Sequence, residues 1–252
     1  MSKNLPPDTL KKVVAVLPAY RASKTLVPFL QTLPQNLFSK IILVDDSSPD
    51  RTYEIARRQK GIEVYQTPTH LGYGGNIKLC FKKALEAGAD VIVEIHPDGE
   101  YLPNGIVPAL KKVEEGAWLV LGNRFTQETH PLKSGMFWWK YPFIKVINSV
   151  HNLLLGTRIP DLHQGFRVYS KKLLTQINFE VNSNGYLFFF EILLQALFKG
   201  ATIKSVPVGT HYRGAKRGAY LRYSVSYTLA SFKLIGLFWL AKARLLRSRN
   251  FC

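Results

Sequence analysis

The sequence predicts an α/β fold: a mostly parallel sheet with helices on both faces. Continuous apolar, β-branched runs alternate with helix-period segments through the first half of the chain, and uninterrupted apolar strands are those buried on both faces. The 252 residues, 46% hydrophobic and 20% charged, suffice for one large globular domain. With no internal repeat or flexible linker visible, that domain is expected over residues 1–219, followed by a basic helix over 220–252.

The elements follow in order. "KKVVAVLP" (11–18) is a buried strand closed by Pro18, and a helix follows over about 23–33. "KIILVDD" (40–46) is the second strand. "SSPDRTYEIARRQK" starts a helix with Ser48 as cap, Pro49 at the first helical position and Asp50 in the first turn. "GIEVYQT" (61–67) is the third strand. "GGNIKLCFKKALEAG" is a helix with Ile77, Cys80, Phe81, Ala84 and Leu85 on one face and Gly88 as its stop. "ADVIVEI", "GIVPALKKVEEG" and "AWLVLGNR" read as strand, helix and strand. Then come an aromatic loop (130–142), a helix in "FIKVINSVHNLLLG", a turn and short strand in "DLHQGFRVYS", and an apolar helix over 185–200 with Glu191 in its middle. The strand "ATIKSVPV", a basic loop and a last helix over about 220–247 complete the chain.

Charge is uneven. Formal net charge is +17, of which +11 falls in residues 192–252, where there is no acid. Such a tail wants an anionic partner: phosphates, an acidic membrane surface or nucleic acid. Nucleic acid is not expected, because the basic excess is not interleaved with a recognised binding motif. Two cysteines, Cys80 and Cys252, make no disulfide framework, and the start "MSKNLPPDTL" has no apolar segment of a secretory signal. The last helix has its best apolar stretch at 225–241, interrupted by Lys233, shorter than the ~20 residues a spanning helix needs. It is expected to lie on a membrane surface or pack on the domain.

In parallel α/β sheets, ligands bind beyond the C-terminal ends of the strands. Polar residues gather there: Tyr20, Asp45 and Asp46, then His96, Asp98 and Glu100, then Asn123 and Arg124. Side chains alternate along an extended chain, so His96, Asp98 and Glu100 can face one way as ligands of Mg²⁺ or Mn²⁺. The alternative is an ordinary polar loop. Asp45 and Asp46 can accept from a base or ribose, or serve as loop carboxylates near a helix. The glycines of "HLGYGGN", Gly72 among them, allow backbone approach to a phosphate or close strand–helix packing. Arg124 can brace a diphosphate or pair with a carboxylate. Asp161 is a general-base candidate or a turn cap, Glu191 is paired or functional, and Arg213, Lys216, Arg217 and Arg222 hold phosphates or form a solvated face.

Taken in order, these stretches resemble the family 2 inverting glycosyltransferases with the GT-A fold, a Rossmann-like architecture, closest to the dolichol-phosphate mannose synthase-like branch. "VVAVLPAYRASKTL", "IILVDDSSPDRTYEIA", "HLGYGGNIKLCFKKALEAGADVIVEIHPDGEYLP", "LGNRF", "DLHQGFRVYS" and "YLFFFEILLQALFKGATIKSVPV" carry the match across about residues 12–213. The resemblance implies that Pro18, Tyr20 and Asp45 contact a nucleoside, Asp98 and Glu100 bind metal, and Arg124 and Arg213 face phosphates. His96 stands where the family has its first metal-binding aspartate. The implied reaction is metal-dependent transfer of a hexose or N-acetylhexosamine from a GDP- or UDP-linked sugar to a polyprenyl phosphate, by a protein peripheral on the cytoplasmic face of the membrane. Transfer to a hydroxyl, with Asp161 as base, and a non-catalytic nucleotide or nucleic-acid binder are the alternatives. A homo-oligomer is left open.

Overall fold

The computed structural model describes residues 12–212 and 221–251. Among these residues, seven strands form one sheet: β1 (Val13–Ala19), β2 (Lys40–Asp45), β3 (Glu63–Gln66), β4 (Val91–Glu94), β5 (Leu119–Asn123), β6 (Arg167–Ser170) and β7 (Ile203–Pro207). Their spatial order is β3-β2-β1-β4-β6-β5-β7. All pairings are parallel except those of β6, which runs antiparallel to both β4 and β5. Direction matters here. Arg167, the first residue of β6, lies opposite Glu94, the last of β4. The turn that precedes β6 therefore reaches the same rim as the ends of β1, β2, β4 and β5.

Among the described residues, eight α-helices accompany the sheet: α1 (Leu26–Thr32), α2 (Thr52–Arg57), α3 (Tyr73–Glu86), α4 (Ile106–Glu114), α5 (Lys140–Leu155), α6 (Lys171–Gln176), α7 (Phe188–Phe198) and α8 (Leu221–Lys242). Alternation along β1 divides the core. Val14 and Val16 face the layer that includes α3, α7 and α8, while Ala15 and Leu17 face α1 and α4. Phe81 of α3 is wholly buried against the rings of Tyr169, Phe179 and Phe188. Burying such a ring stabilises by about 1.5–3 kcal/mol.

Two local readings change. The second helix begins at Thr52, not at Pro49. Asp50 accepts from the Thr52 amide and hydroxyl (3.2 and 2.5 Å), whereas Ser48 Oγ accepts from the Arg21 amide and ties the helix entry to the end of β1. The last helix ends at Lys242, short of the expected 247, while its apolar stretch is longer than the expected 225–241. It runs unbroken through Lys233, and Ser224–Lys242, with mean hydropathy 1.3, is long and apolar enough to cross a membrane by length and composition. Lys233 does not interrupt it because it projects from the exposed side, while Ser231, Leu234, Ile235, Phe238 and Ala241 form the buried side.

Candidate active site

The rim gathers the expected groups, and the hydrogen bonds sort them. Pro18 is buried within β1, and Asp45 is wholly buried at the end of β2. Asp45 Oδ2 accepts from the Ser48 amide (3.0 Å) and Gln66 Nε2 (3.1 Å). Tyr20, 43% exposed, stacks on the His70 ring with centroids 4.3 Å apart. Asp46 differs from its neighbour. Its carboxylate accepts from the Leu71 and Gly72 amides (2.8 and 3.0 Å) and from Thr67 Oγ1, and pairs with His70 at 2.9 Å. Both oxygens are committed to the chain, so Asp46 fixes the glycine-rich turn instead of offering itself to a ligand.

The turn resolves the same way. Gly72 has φ +84°, open to glycine, and the Gly74 and Gly75 amides at the start of α3 donate to the Asn184 carbonyl (2.7 and 3.3 Å). These amides are not pointed at a phosphate; the glycines serve close packing. A Cβ on Gly74 would collide with the Ser183 carbonyl. Gly74→Ala is expected to destabilise the fold by about 1–3 kcal/mol, measurable by urea denaturation. Glu191 belongs to this contact too. It accepts from the Ser183 amide at 2.6 Å and from Asn250 at 3.5 Å, and burial pushes its carboxyl up from the ordinary value. It is paired.

The His96, Asp98, Glu100 triad does not form. Among the described residues no three such side chains converge on a metal position. Strand geometry ends at Glu94, and Gly99 (φ +74°) turns the chain, so the two-residue alternation fails. His96 Nε2 instead meets Tyr73 Oη at 2.7 Å and Glu94 Oε1 at 3.2 Å. Burial opposes its charge, but Glu94 outweighs this and raises the imidazole above its ordinary value. Glu94 is itself wholly buried and accepts from Tyr169 Oη at 2.9 Å. Its signal in the sequence was one acid inside "VIVEI". Asp98 is exposed, with Oδ1 accepting from the Glu100 amide at 2.9 Å. Burial, then the Asp98 charge, pushes Glu100 up. Two neighbouring carboxylates of this kind suit a hard divalent cation; the imidazole is spoken for.

Arg124 and Asp161 find each other. Arg124 Nε and Nη2 reach the two Asp161 oxygens at 2.8 and 3.2 Å, Nη1 donates to Tyr212 Oη, and both partners are buried. Burial disfavours the guanidinium charge, yet Asp161 more than offsets it and holds Arg124 well above its ordinary value. Asp161 is therefore an ion-pair partner and not an open base, and Arg124 is braced by the chain before any phosphate arrives. Arg213, Lys216 and Arg217, with the side chain of Arg222, lie outside the described residues.

Behind this pair runs a chain of side chains that the sequence did not announce. Ser231 Oγ donates to the Thr228 carbonyl (2.7 Å), so at its 3.1 Å contact with His151 Nε2 it accepts. His151 Nδ1 then accepts from His163 Nε2 (3.2 Å), and His163 Nδ1 from Tyr227 Oη (3.0 Å). One proton serves each bond, and both rings are neutral. The chain joins α8 to α5 and to the turn carrying Asp161. Burial drives His151 down to about 4 from 6.5. Burial, then the His151, Arg124 and Arg167 charges, drives His163 well below its ordinary value. A depressed histidine is bound to more protons when unfolded, so its stabilising contribution is whole above pH 6.5 and is lost as pH falls from 6.5 toward 4. Each of the two histidines is expected to cost up to about 1.4 kcal/mol of stability per pH unit as it titrates, and the drop should be smaller in His151→Gln, as urea titrations at pH 7.5 and 5 would read.

A family model described as glycosyl transferase family 2 matches residues 14–177. The chain belongs to that family. It is an enzyme, a glycosyltransferase. Polyprenol monophosphomannose synthase of Mycolicibacterium smegmatis is 29% identical over 178 residues, 67% of this chain and 65% of that protein. Undecaprenyl-phosphate mannosyltransferase of Micrococcus luteus is 28% identical over 210 residues, 78% of this chain and 82% of that one. These relatives put the chain in the dolichol-phosphate mannose synthase-like branch of family 2. Glucosyl-3-phosphoglycerate synthase from Mycobacterium tuberculosis, crystallised with Mn²⁺, UDP and glucosyl-3-phosphoglycerate, superposes with a TM-score of 0.62 at 18% identity, covering 94% of this chain and 81% of that one. That likeness speaks to the fold, and the family 2 sheet with its flanking helices is the GT-A architecture the sequence led us to expect.

Proposed function

We propose that the chain moves a hexose or N-acetylhexosamine, with inversion at the anomeric carbon, from a nucleoside-diphosphate sugar to a polyprenyl phosphate. The observation that carries the acceptor is the sealing of Asp161. A hydroxyl acceptor needs a base, and Asp161, the candidate in the second half of the chain, is wholly buried with both oxygens bound by Arg124. A phosphate monoester arrives as an anion and attacks without deprotonation. Its oxygen forms the new bond to the anomeric carbon from the face opposite the diphosphate. The bond between that carbon and the diphosphate oxygen breaks, and the nucleoside diphosphate leaves with the electron pair. Asp45 holds the nucleoside end. Asp98 and Glu100 would hold Mg²⁺ or Mn²⁺, which would supply positive charge against the departing diphosphate.

The membrane side is supported by surface chemistry. Val146, Leu153 and Leu154 of α5 and Leu229, Trp239 and Leu240 of α8 are exposed. Trp239 Nε1 donates to the Leu154 carbonyl at 2.9 Å, so the two helices present adjoining apolar faces. Basic residues and no acids follow residue 191, which suits an anionic lipid surface at the cytoplasmic face. The purified protein is expected to bind vesicles rich in phosphatidylglycerol at low salt and to release them as salt rises. Failure to bind would remove the lipid acceptor. The direct test offers a radiolabelled nucleotide sugar with either a polyprenyl phosphate or an alkyl glycoside. Product on the phosphate alone supports the reading, and product on the glycoside alone overturns it.

A further inference from the structure

Resting on the nucleotide-sugar reading, we infer that Tyr186 is the platform for the transferred sugar, its ring packing against one face of the pyranose. Tyr186 lies in the turn before α7 and keeps 59% of its surface open. Its ring stacks on that of Tyr73, with centroids 5.1 Å and planes 28° apart. Tyr73, the first residue of α3, is fixed in turn by its hydroxyl, 2.7 Å from His96 Nε2, and by an edge contact with Phe189 at 4.8 Å. The stack therefore leads outward from the segment that carries His96, Asp98 and Glu100 to one open aromatic face. On the proposed reading the same segment faces the diphosphate to which the sugar is joined.

A single exposed ring is ordinary; this one stands on a built support. The Gly74 and Gly75 amides donate to the Asn184 carbonyl (2.7 and 3.3 Å), and the Ser183 amide donates to Glu191 Oε2 (2.6 Å). Ser183 Oγ accepts from the Gly185 amide (3.0 Å). Asn250 Nδ2 reaches the turn from the far end of the chain and donates to Asn182 Oδ1 (3.1 Å), while its neighbour Phe251 is buried against Phe198 and Phe238. The glycine-rich turn, α7 and the C-terminal segment thus set the position of this turn together, and a surface set in advance loses little freedom on binding. The chemistry fits a sugar. A pyranose carries C–H groups on its faces and hydroxyls around its edge. Those hydrogens bear partial positive charge and suit the negative face of an aromatic ring. The exposed residues of α5 and α8 adjoin one another and suit lipid, whereas Tyr186 rests on Tyr73 of α3.

The test is calorimetric titration of the full chain, in magnesium, with UDP, UDP-glucose, UDP-N-acetylglucosamine, GDP and GDP-mannose. The quantity read is the affinity of a nucleotide sugar divided by that of its nucleoside diphosphate. In Tyr186→Ala this ratio is expected to fall roughly 5- to 30-fold for the nucleotide sugar that the wild type binds best. The nucleoside diphosphate should bind as before, which also reports that the variant is folded. Tyr186→Leu, which keeps apolar bulk against Tyr73 but offers no ring face, should fall likewise, and Tyr186→Phe should stay within about twofold of the wild type. An unchanged ratio in both Tyr186→Ala and Tyr186→Leu would overturn the platform and leave the nucleotide-sugar reading standing. A fall in Tyr186→Phe as deep as in Tyr186→Ala would make the hydroxyl the contact and overturn the stacking. A wild-type chain that binds no nucleotide sugar would overturn both.

Discussion

Asp161→Ala is expected to destabilise the protein by about 3–5 kcal/mol, the range for removing one partner of a buried ion pair. The size follows from what remains. Arg124 is buried, and its Nε and Nη2 lose the oxygens they meet at 2.8 and 3.2 Å. Tyr212 Oη and the His163 carbonyl still accept from it, but neither carries a compensating charge. The midpoint of urea denaturation reads the loss. Asp161→Asn keeps the shape and one acceptor and should lose less. The double variant Arg124→Met, Asp161→Leu removes both charges and should recover most of the stability while abolishing transfer. Equal destabilisation by Asp161→Ala and Asp161→Asn would show that the charge is not what matters.

On the proposed function, Asp98→Ala is expected to lower transfer by about 10²-fold or more, since it removes a carboxylate that would hold the cation neutralising the diphosphate. It should leave the fold nearly untouched, because Asp98 is exposed and, among the described residues, its carboxylate bonds to the Glu100 amide alone. Turnover with a nucleotide sugar, measured across a Mn²⁺ series beside a urea curve, separates the two effects. His96→Ala should do the reverse. Its Nε2 ties Tyr73 to Glu94, so its loss leaves Glu94 with fewer donors and acts on stability before it acts on chemistry. Transfer unaffected by Asp98→Ala would put the metal elsewhere.

Much of the rim was legible. Asp45, Asp98 and Arg124 stand at strand ends because apolar runs stop there, and where a run stops is written in the residues. Roles were less legible than positions. Asp45 and Asp46 are adjacent and chemically identical, yet among the described residues one keeps an oxygen without a donor, while the other binds the Leu71 and Gly72 amides. No spacing rule separates them, because the donors come from a loop some 25 residues away. His96, Asp98 and Glu100 show the opposite failure. Their period of two is real in the sequence but requires an extended chain, and Gly99 bends it.

The sequence by itself determined the class of fold, the order of strands and helices, the family and the rim on which the polar strand ends gather. Those follow from local facts: apolar period, glycine and proline stops, and motif order. Tertiary structure alone decided which polar groups are still free. The antiparallel course of β6 carries Asp161 to the rim and into the grip of Arg124. The two buried histidines meet only because α5, α8 and that turn pack together. A hydrogen bond needs its partner within about 3 Å. Partners far apart in the chain are chosen by packing, so the free valences that make a site appear only once the chain has folded.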